Sequence, residues 1–302
     1  MAFFTIVFFF AIFEALVIIL QMLYFAALIV LHLNSPFHLS VITMSLLIML
    51  RASVTLYSII SWDPDNQSSM WLEISHFLDY ISWNYSMAVM LVLAVHQYVM
   101  YHDKERNMFY FMDWHGLLLI FVFAVMAFLG IGQIGFGSMK RGFSYDNGIM
   151  EVSSTNDIWI HCWMMKYSFQ INYIFPILTI AVYTNFILKN RKLNPNVKQN
   201  VKIFLIPERN RAILIIFISI LQLAINILNE FHTTTAEATE LSQKAPIDKL
   251  LTFSYSIPEL FTPFFIFCNF KKFRDHWKFY MGKDIVRVGP DLPRGAFIIE
   301  VG

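Results

Sequence analysis

Seven runs of predominantly apolar residues take up most of this chain. They lie near Phe3 to Leu31, His38 to Ile60, Ile74 to Met100, Trp114 to Phe136, Tyr167 to Leu188, Arg211 to Glu230 and Lys249 to Phe270. A helix of about 20 apolar residues covers the roughly 30 Å hydrocarbon core of a bilayer. Only helices and closed barrels satisfy their own backbone hydrogen bonds there, and runs of this length suit helices. Composition agrees, with 57% apolar and 14% charged residues, against roughly 45–50% and about 25% in soluble domains. The expected fold is an all-α membrane protein, a seven-transmembrane-helix bundle over residues 1–281, with a short cytoplasmic tail over 282–302. The first run lacks the basic start and small-residue cleavage site of a secretory signal and exceeds the length of its apolar core, so it reads as a retained span.

Charge excludes several classes. Twenty-two Lys and Arg nearly cancel twenty-one Asp and Glu, which leaves no basic excess to neutralise a phosphate backbone, so nucleic acid is not an expected partner. Cys162 and Cys268 make no disulfide framework, and no Cys/His zinc spacing is present, so neither metal nor cofactor is expected. The positive charges alternate between connections, and Lys and Arg beside a span stay on the cytoplasmic side. Sixteen fall after runs one, three, five and seven, while four (Lys140, Arg141, Lys244 and Lys249) fall on the other side. The chain is therefore expected to be multi-pass, with its N-terminus outside and its C-terminus in the cytoplasm. Asn66-Gln67-Ser68, a glycosylation triplet, then lands outside.

Polar residues within the runs are informative because each is costly in lipid and usually faces the bundle interior. In run three, His76, Asp79, Ser82 or Trp83, Ser86 and Gln97 recur at mostly helical spacing. Run six repeats the pattern with Gln222, Asn226, Asn229 and Glu230, run seven with Thr252, Tyr255, Glu259 and Thr262, and run five with Asn172, Pro176, Thr179 and Tyr183. Four polar stripes imply a shared wet interior, with interhelical hydrogen-bonding as the plainer alternative. Candidate ligand contacts are His76, Asp79, Trp83, Asn172, Asn226, Glu230 and Tyr255. Arg51 lies midway along run two, and an unpaired arginine there costs at least about 2.5–3.5 kcal/mol. It is expected to pair with Glu259, or otherwise with Glu14.

After run seven, Phe270, Phe273, Trp277, Tyr280 and Met281 recur at helical intervals among Lys271, Lys272, Arg274 and Lys278. That pattern predicts a short amphipathic eighth helix lying on membrane lipid.

The whole seven-run span resembles the rhodopsin-like G-protein-coupled receptors, in particular the serpentine chemoreceptors of nematodes. Leu93-Ala94-Val95-His96-Gln97-Tyr98-Val99 stands where such receptors carry Asp-Arg-Tyr. Tyr173-x-x-Pro176 is similar to the family's aromatic-x-x-Pro, and Thr262-Pro263-Phe264-Phe265-Ile266 occupies the place of Asn-Pro-x-x-Tyr, followed at the family's spacing by Phe273-Arg274. Asn34-Ser35-Pro36-Phe37 is similar to the Srx-like group. The departures are Gln97 for the triplet's arginine, Ile266 for the tyrosine, no outer cysteine to pair with Cys162, and neither Trp nor Pro of the toggle in run six. The resemblance implies a plasma-membrane chemosensory receptor that couples a small-molecule ligand to a heterotrimeric G protein. It places His96, Gln97 and Tyr98 on the G-protein side, where the basic connection bearing Arg209 and Arg211 also lies.

Other classes fit less well. A retinal protein needs a lysine deep in run seven, where Lys249 is only marginal, and no hydrolase motif is evident, so the chain is not expected to be an enzyme. A transporter using Glu14, Arg51, Asp79 and Glu259 for ion or proton coupling is the alternative, although no internal repeat supports it.

Overall fold

The computed structural model describes residues 2–30, 36–61, 70–102, 107–137, 140–144, 149–153, 159–191, 199–236 and 256–265. Six long helices occupy most of them: α1 (Ala2–Val30), α2 (Pro36–Ile60), α3 (Met70–His102), α4 (Asn107–Gly137), α5 (Trp159–Arg191) and α6 (Gln199–Ala236). A short helix, α7 (Ile257–Phe261), runs directly into a 3-10 turn, Thr262–Phe264. Between α4 and α5, β1 (Lys140–Ser144) pairs antiparallel with β2 (Ile149–Ser153), with Lys140 opposite Ser153 and Ser144 opposite Ile149.

Four stretches are long and apolar enough to cross a membrane: Phe8–Ile29, Phe37–Ile60, Met70–Tyr98 and Arg209–Leu228. Shorter apolar stretches lie in α4 (Gly116–Gly132) and α5 (Asn172–Leu188). The protein is thus a helical, membrane-associated chain with four candidate crossings among the described residues. Of the seventh run only residues 256–265 are described, and the segment expected to form an eighth helix lies outside the described residues.

The helices are arranged polar side in. On α1, Glu14, Val17, Gln21, Tyr24 and Leu28 are buried at intervals of three and four, while Phe8, Ile12, Leu16, Ile19 and Leu23 are exposed. An apolar outer surface with polar groups inside is what lipid demands, because the acyl chains offer no hydrogen bonds. Helix α3 lies at the centre, packed against α2, α4, α5, α6 and the hairpin, and every residue from 81 to 90 is buried. Gly130 lets α4 approach α3 closely, since a Cβ there would come within 3.1 Å of the Phe77 and Tyr80 rings. The core that these helices share includes Val17, Ile48, Val89, Leu93, Tyr183, Ile215 and Phe265.

Two features depart from the apolar runs. Helix α6 has 38 residues and begins at Gln199, so much of the basic connection before Arg211 is helical rather than loop. The hairpin was also not anticipated, although Asn147-Gly148 is a strong short-range hairpin signal.

Candidate functional site

Two polar centres lie inside the bundle, and each sits beside a proline. The first is built around Arg51. Residues Ile48, Arg51, Ala52, Thr55 and Ser58 share the buried face of α2 at helical spacing, which carries the guanidinium inward. Arg51 Nη1 and Nη2 donate to Glu14 Oε1 at 3.1 Å and Oε2 at 2.8 Å, a two-pronged bond to α1. Nη2 also donates to Glu259 Oε2 at 2.6 Å, and Nη1 to Asp79 Oδ1 at 3.2 Å. Ser256 Oγ lies 3.3 Å from Nη2 and donates to Glu14 Oε1 at 3.2 Å. Ser82 Oγ meets Glu259 Oε1 at 3.2 Å. Side-chain exposure is 5% for Arg51, 0% for Glu14 and 6% for Glu259, but 26% for Asp79. One cation thus joins α1, α2, α3 and α7.

The geometry refines the sequence expectation in two ways. Arg51 takes Glu14 and Glu259 together rather than one of them, and Asp79 completes the set. A guanidinium has five donors in a planar fork, which is why it can hold three carboxylates where an ammonium would hold fewer in fixed positions.

Pro263 explains the next contact. A proline has no N–H, so the helical bond to the carbonyl four residues earlier, that of Glu259, is missing. Gln21 Nε2, from α1, donates to Glu259 O at 2.9 Å and to Thr262 Oγ1 at 2.8 Å. Thr262 Oγ1 donates to the same carbonyl at 2.5 Å, and the Thr262 backbone N–H closes a tighter turn onto it. Gln21 was not among the candidate residues, although it follows Glu14 by seven residues, two helical turns along the same face.

The second centre joins α5, α6 and α3. Pro176 lies inside α5 and deprives the Asn172 carbonyl of its partner. Asn226 Nδ2, from α6, donates to that carbonyl at 2.7 Å and lies 4.0 Å from Met87 Sδ of α3. Tyr173 Oη donates to Glu230 Oε2 at 2.6 Å and approaches Asn226 O at 3.1 Å. Beneath these groups Trp83, Met87 and Ile225 form a small buried apolar cluster, with Phe175 against it.

The other candidates are dispersed. His76 is half-buried on α3, three residues before Asp79. His96, Gln97 and Tyr98 are half-buried near the far end of α3. Arg209 is exposed, whereas Arg211 holds its guanidinium 4.5 Å above the Phe37 ring. Phe37 also meets Phe265 edge-on at 5.3 Å, which ties α2 and α6 to the residue after the 3-10 turn. Asn66 and Tyr255 lie outside the described residues. No group of three or more His, Cys, Asp or Glu among the described residues is arranged to hold a metal ion.

No protein-family model matches the sequence, and no curated protein matches it significantly.

Proposed function

We propose that this chain is a seven-transmembrane chemosensory receptor of the plasma membrane, which couples an external small-molecule ligand to a heterotrimeric G protein. The observation that carries the reading is the second polar centre. Trp83 and Met87, Asn172 and Tyr173, and Asn226 and Glu230 converge from three helices within one turn or two of a proline break. That set offers aromatic and thioether surface, amide groups and one exposed carboxylate, a combination suited to a small, partly apolar ligand with a hydrogen-bonding or cationic group. Asp79, by contrast, is engaged by Arg51 and takes a supporting role. In this reading the seventh run completes the bundle, the segment after it lies on lipid as an eighth helix, and the ends of α3 and α6 bearing His96, Gln97, Tyr98, Arg209 and Arg211 face the G protein.

A ligand screen in cells carrying a promiscuous G protein tests the proposal. A specific agonist response that falls in Tyr173→Phe and Glu230→Gln, at equal surface expression, is the expected result. The Arg51 cluster favours a second reading, a transporter with ion or proton coupling. Substrate uptake by purified protein in vesicles, without ligand-dependent nucleotide exchange on a G protein, would decide for it.

A further inference from the structure

We propose that the Arg51 cluster takes up one proton, held on Glu259 and shared with Ser82, and that this proton seats α7 against α1 and α2. The inference goes beyond the receptor reading and does not depend on it.

The charge count motivates it. One guanidinium faces three carboxylates, with Glu14, Arg51 and Asp79 in stretches long and apolar enough to cross a membrane, where uncompensated charge is most costly. The hydrogen bonds then distinguish the three acids. Glu14 receives three donors, two from the Arg51 fork and one from Ser256, so both of its oxygens accept, as an ionised carboxylate does. Asp79 meets Arg51 through one oxygen, and its 26% exposure gives it access to hydration. Glu259 is as buried as Arg51 but uses only Oε2 on the guanidinium. Its Oε1 faces a hydroxyl, and Ser82 Oγ can accept from a carboxylic acid as readily as it donates to a carboxylate. Of the two fully buried acids, Glu259 is therefore the one that can carry a proton while keeping both contacts.

Two further hydroxyls flank the cluster. Thr55 Oγ1 and Ser86 Oγ are buried without a hydrogen-bond partner among the described residues, one helical turn along from Arg51 and Ser82 respectively. They extend the line of hydroxyl groups on α2 and α3 past the site of the proton. The ionisable groups facing Glu259 are Glu14 of α1, Arg51 of α2 and Asp79 of α3. Helix α6 also packs against α7 and has no ionisable residue between Arg211 and Glu230. The next such groups along those helices are Tyr24, His38, Tyr57, His76, Tyr80 and Tyr85. Loss of the proton sets a second fully buried carboxylate against Glu14 on one guanidinium. The repulsion acts on α7, which is held to α1 by the Gln21 amide and by the bond from its capping Ser256 to Glu14.

Infrared spectroscopy of the purified full-length protein in detergent tests this. A protonated-carboxyl carbonyl stretch, downshifted in heavy water, should be present at neutral pH, retained in Asp79→Asn and lost in Glu259→Gln. Raising the pH should remove the band and lower the Tm of the wild-type protein in parallel, because a group protonated in the folded state loses its stabilising effect as it ionises. Glu259→Gln should flatten that dependence. Absence of the band at neutral pH, or its persistence in Glu259→Gln, would overturn the proposal. So would a failure of Glu259→Gln to fold, because a neutral amide should replace a neutral acid. Exchange of sodium for choline at fixed pH should change neither band nor Tm, and a strong response would mark a bound cation in place of the proton.

Discussion

Pro176 in α5 and Pro263 after α7 create the same vacancy, a carbonyl without the N–H of the residue four on, and in both places an amide from a neighbouring helix donates to it. The surroundings differ. At Pro176 the Asn226 amide is the one side-chain donor described on the Asn172 carbonyl, and the groups nearby are a phenol, a thioether and an exposed glutamate. At Pro263 the Gln21 amide shares the Glu259 carbonyl with two groups of Thr262. The same glutamate's side chain is locked to Arg51, which in turn holds α1 and α3. The α7 turn is thus held by polar groups of several helices at once, whereas the α5–α6 joint rests on a few neutral bonds and one phenol–carboxylate bond. Side-chain hydrogen bonds between membrane helices average only about 0.6 kcal/mol, so the second joint can exchange partners at little cost while the first cannot.

The largest expected effect tests the charged side of that contrast. Arg51→Met leaves Glu14, Asp79 and Glu259 without their shared guanidinium and should cost at least about 3–5 kcal/mol, the usual loss when a buried pair is broken, seen as a collapse of the monodisperse peak in size-exclusion chromatography. Adding Glu14→Gln and Glu259→Gln together should restore much of the peak, and adding either alone should restore less. If one partner sufficed, the cluster would reduce to a simple pair.

Next in size is the amide at Pro263. Gln21→Leu leaves a buried carbonyl with one donor fewer and should cost about 1–3 kcal/mol in thermal unfolding, the range for an unsatisfied buried group. Asn226→Leu should cost less, about 0.6–1.7 kcal/mol, and its effect should shrink in a Pro176→Ala background, where the Asn172 carbonyl regains a helical partner. That double-mutant cycle isolates the bond from the rest of the joint. Equal costs in both backgrounds would mean that Asn226 does not serve the proline break.

The smallest effect belongs to the far end of the bundle. Arg211→Gln removes the cation from the Phe37 ring and should cost about 0.5–1 kcal/mol. A loss much greater than this in thermal unfolding would assign Arg211 a larger share in joining α2 to α6.

What was legible in the sequence followed from lipid physics. Long apolar runs gave α1, α2, α3 and much of α6, and the isolated charges Glu14, Arg51 and Glu259 had to find partners because the surrounding hydrocarbon offers none. Which partner was not legible, because spacing assigns a residue to a helix face but leaves helix rotation and depth open. Those two quantities decide whether Arg51 reaches one carboxylate or three. Asp79 read as a ligand contact for the same reason, since its stripe on α3 was visible but its approach to α2 was not. Gln21 was overlooked because a lone glutamine in an apolar run gains meaning only beside the carbonyl that Pro263 leaves open. The hairpin is hard to read because its strands have only five residues each and no sustained alternation, and the extension of α6 because charged residues mask helix when apolar runs are the guide.

The length of α6 has a mechanical consequence. At 1.5 Å per residue its 38 residues measure about 57 Å, nearly twice the thickness of the hydrocarbon. Pro207 interrupts the helical hydrogen bonds near its start, so the unbroken rod begins at Glu208, about 27 Å from Asn226, the point at which α6 is fastened to α5. A tilt of about 5° about the Asn226 fulcrum would carry the Glu208 end about 2 Å sideways and barely strain the bond at the pivot. A displacement too small to see near Asn226 becomes, at the far end of the rod, a movement longer than a covalent bond.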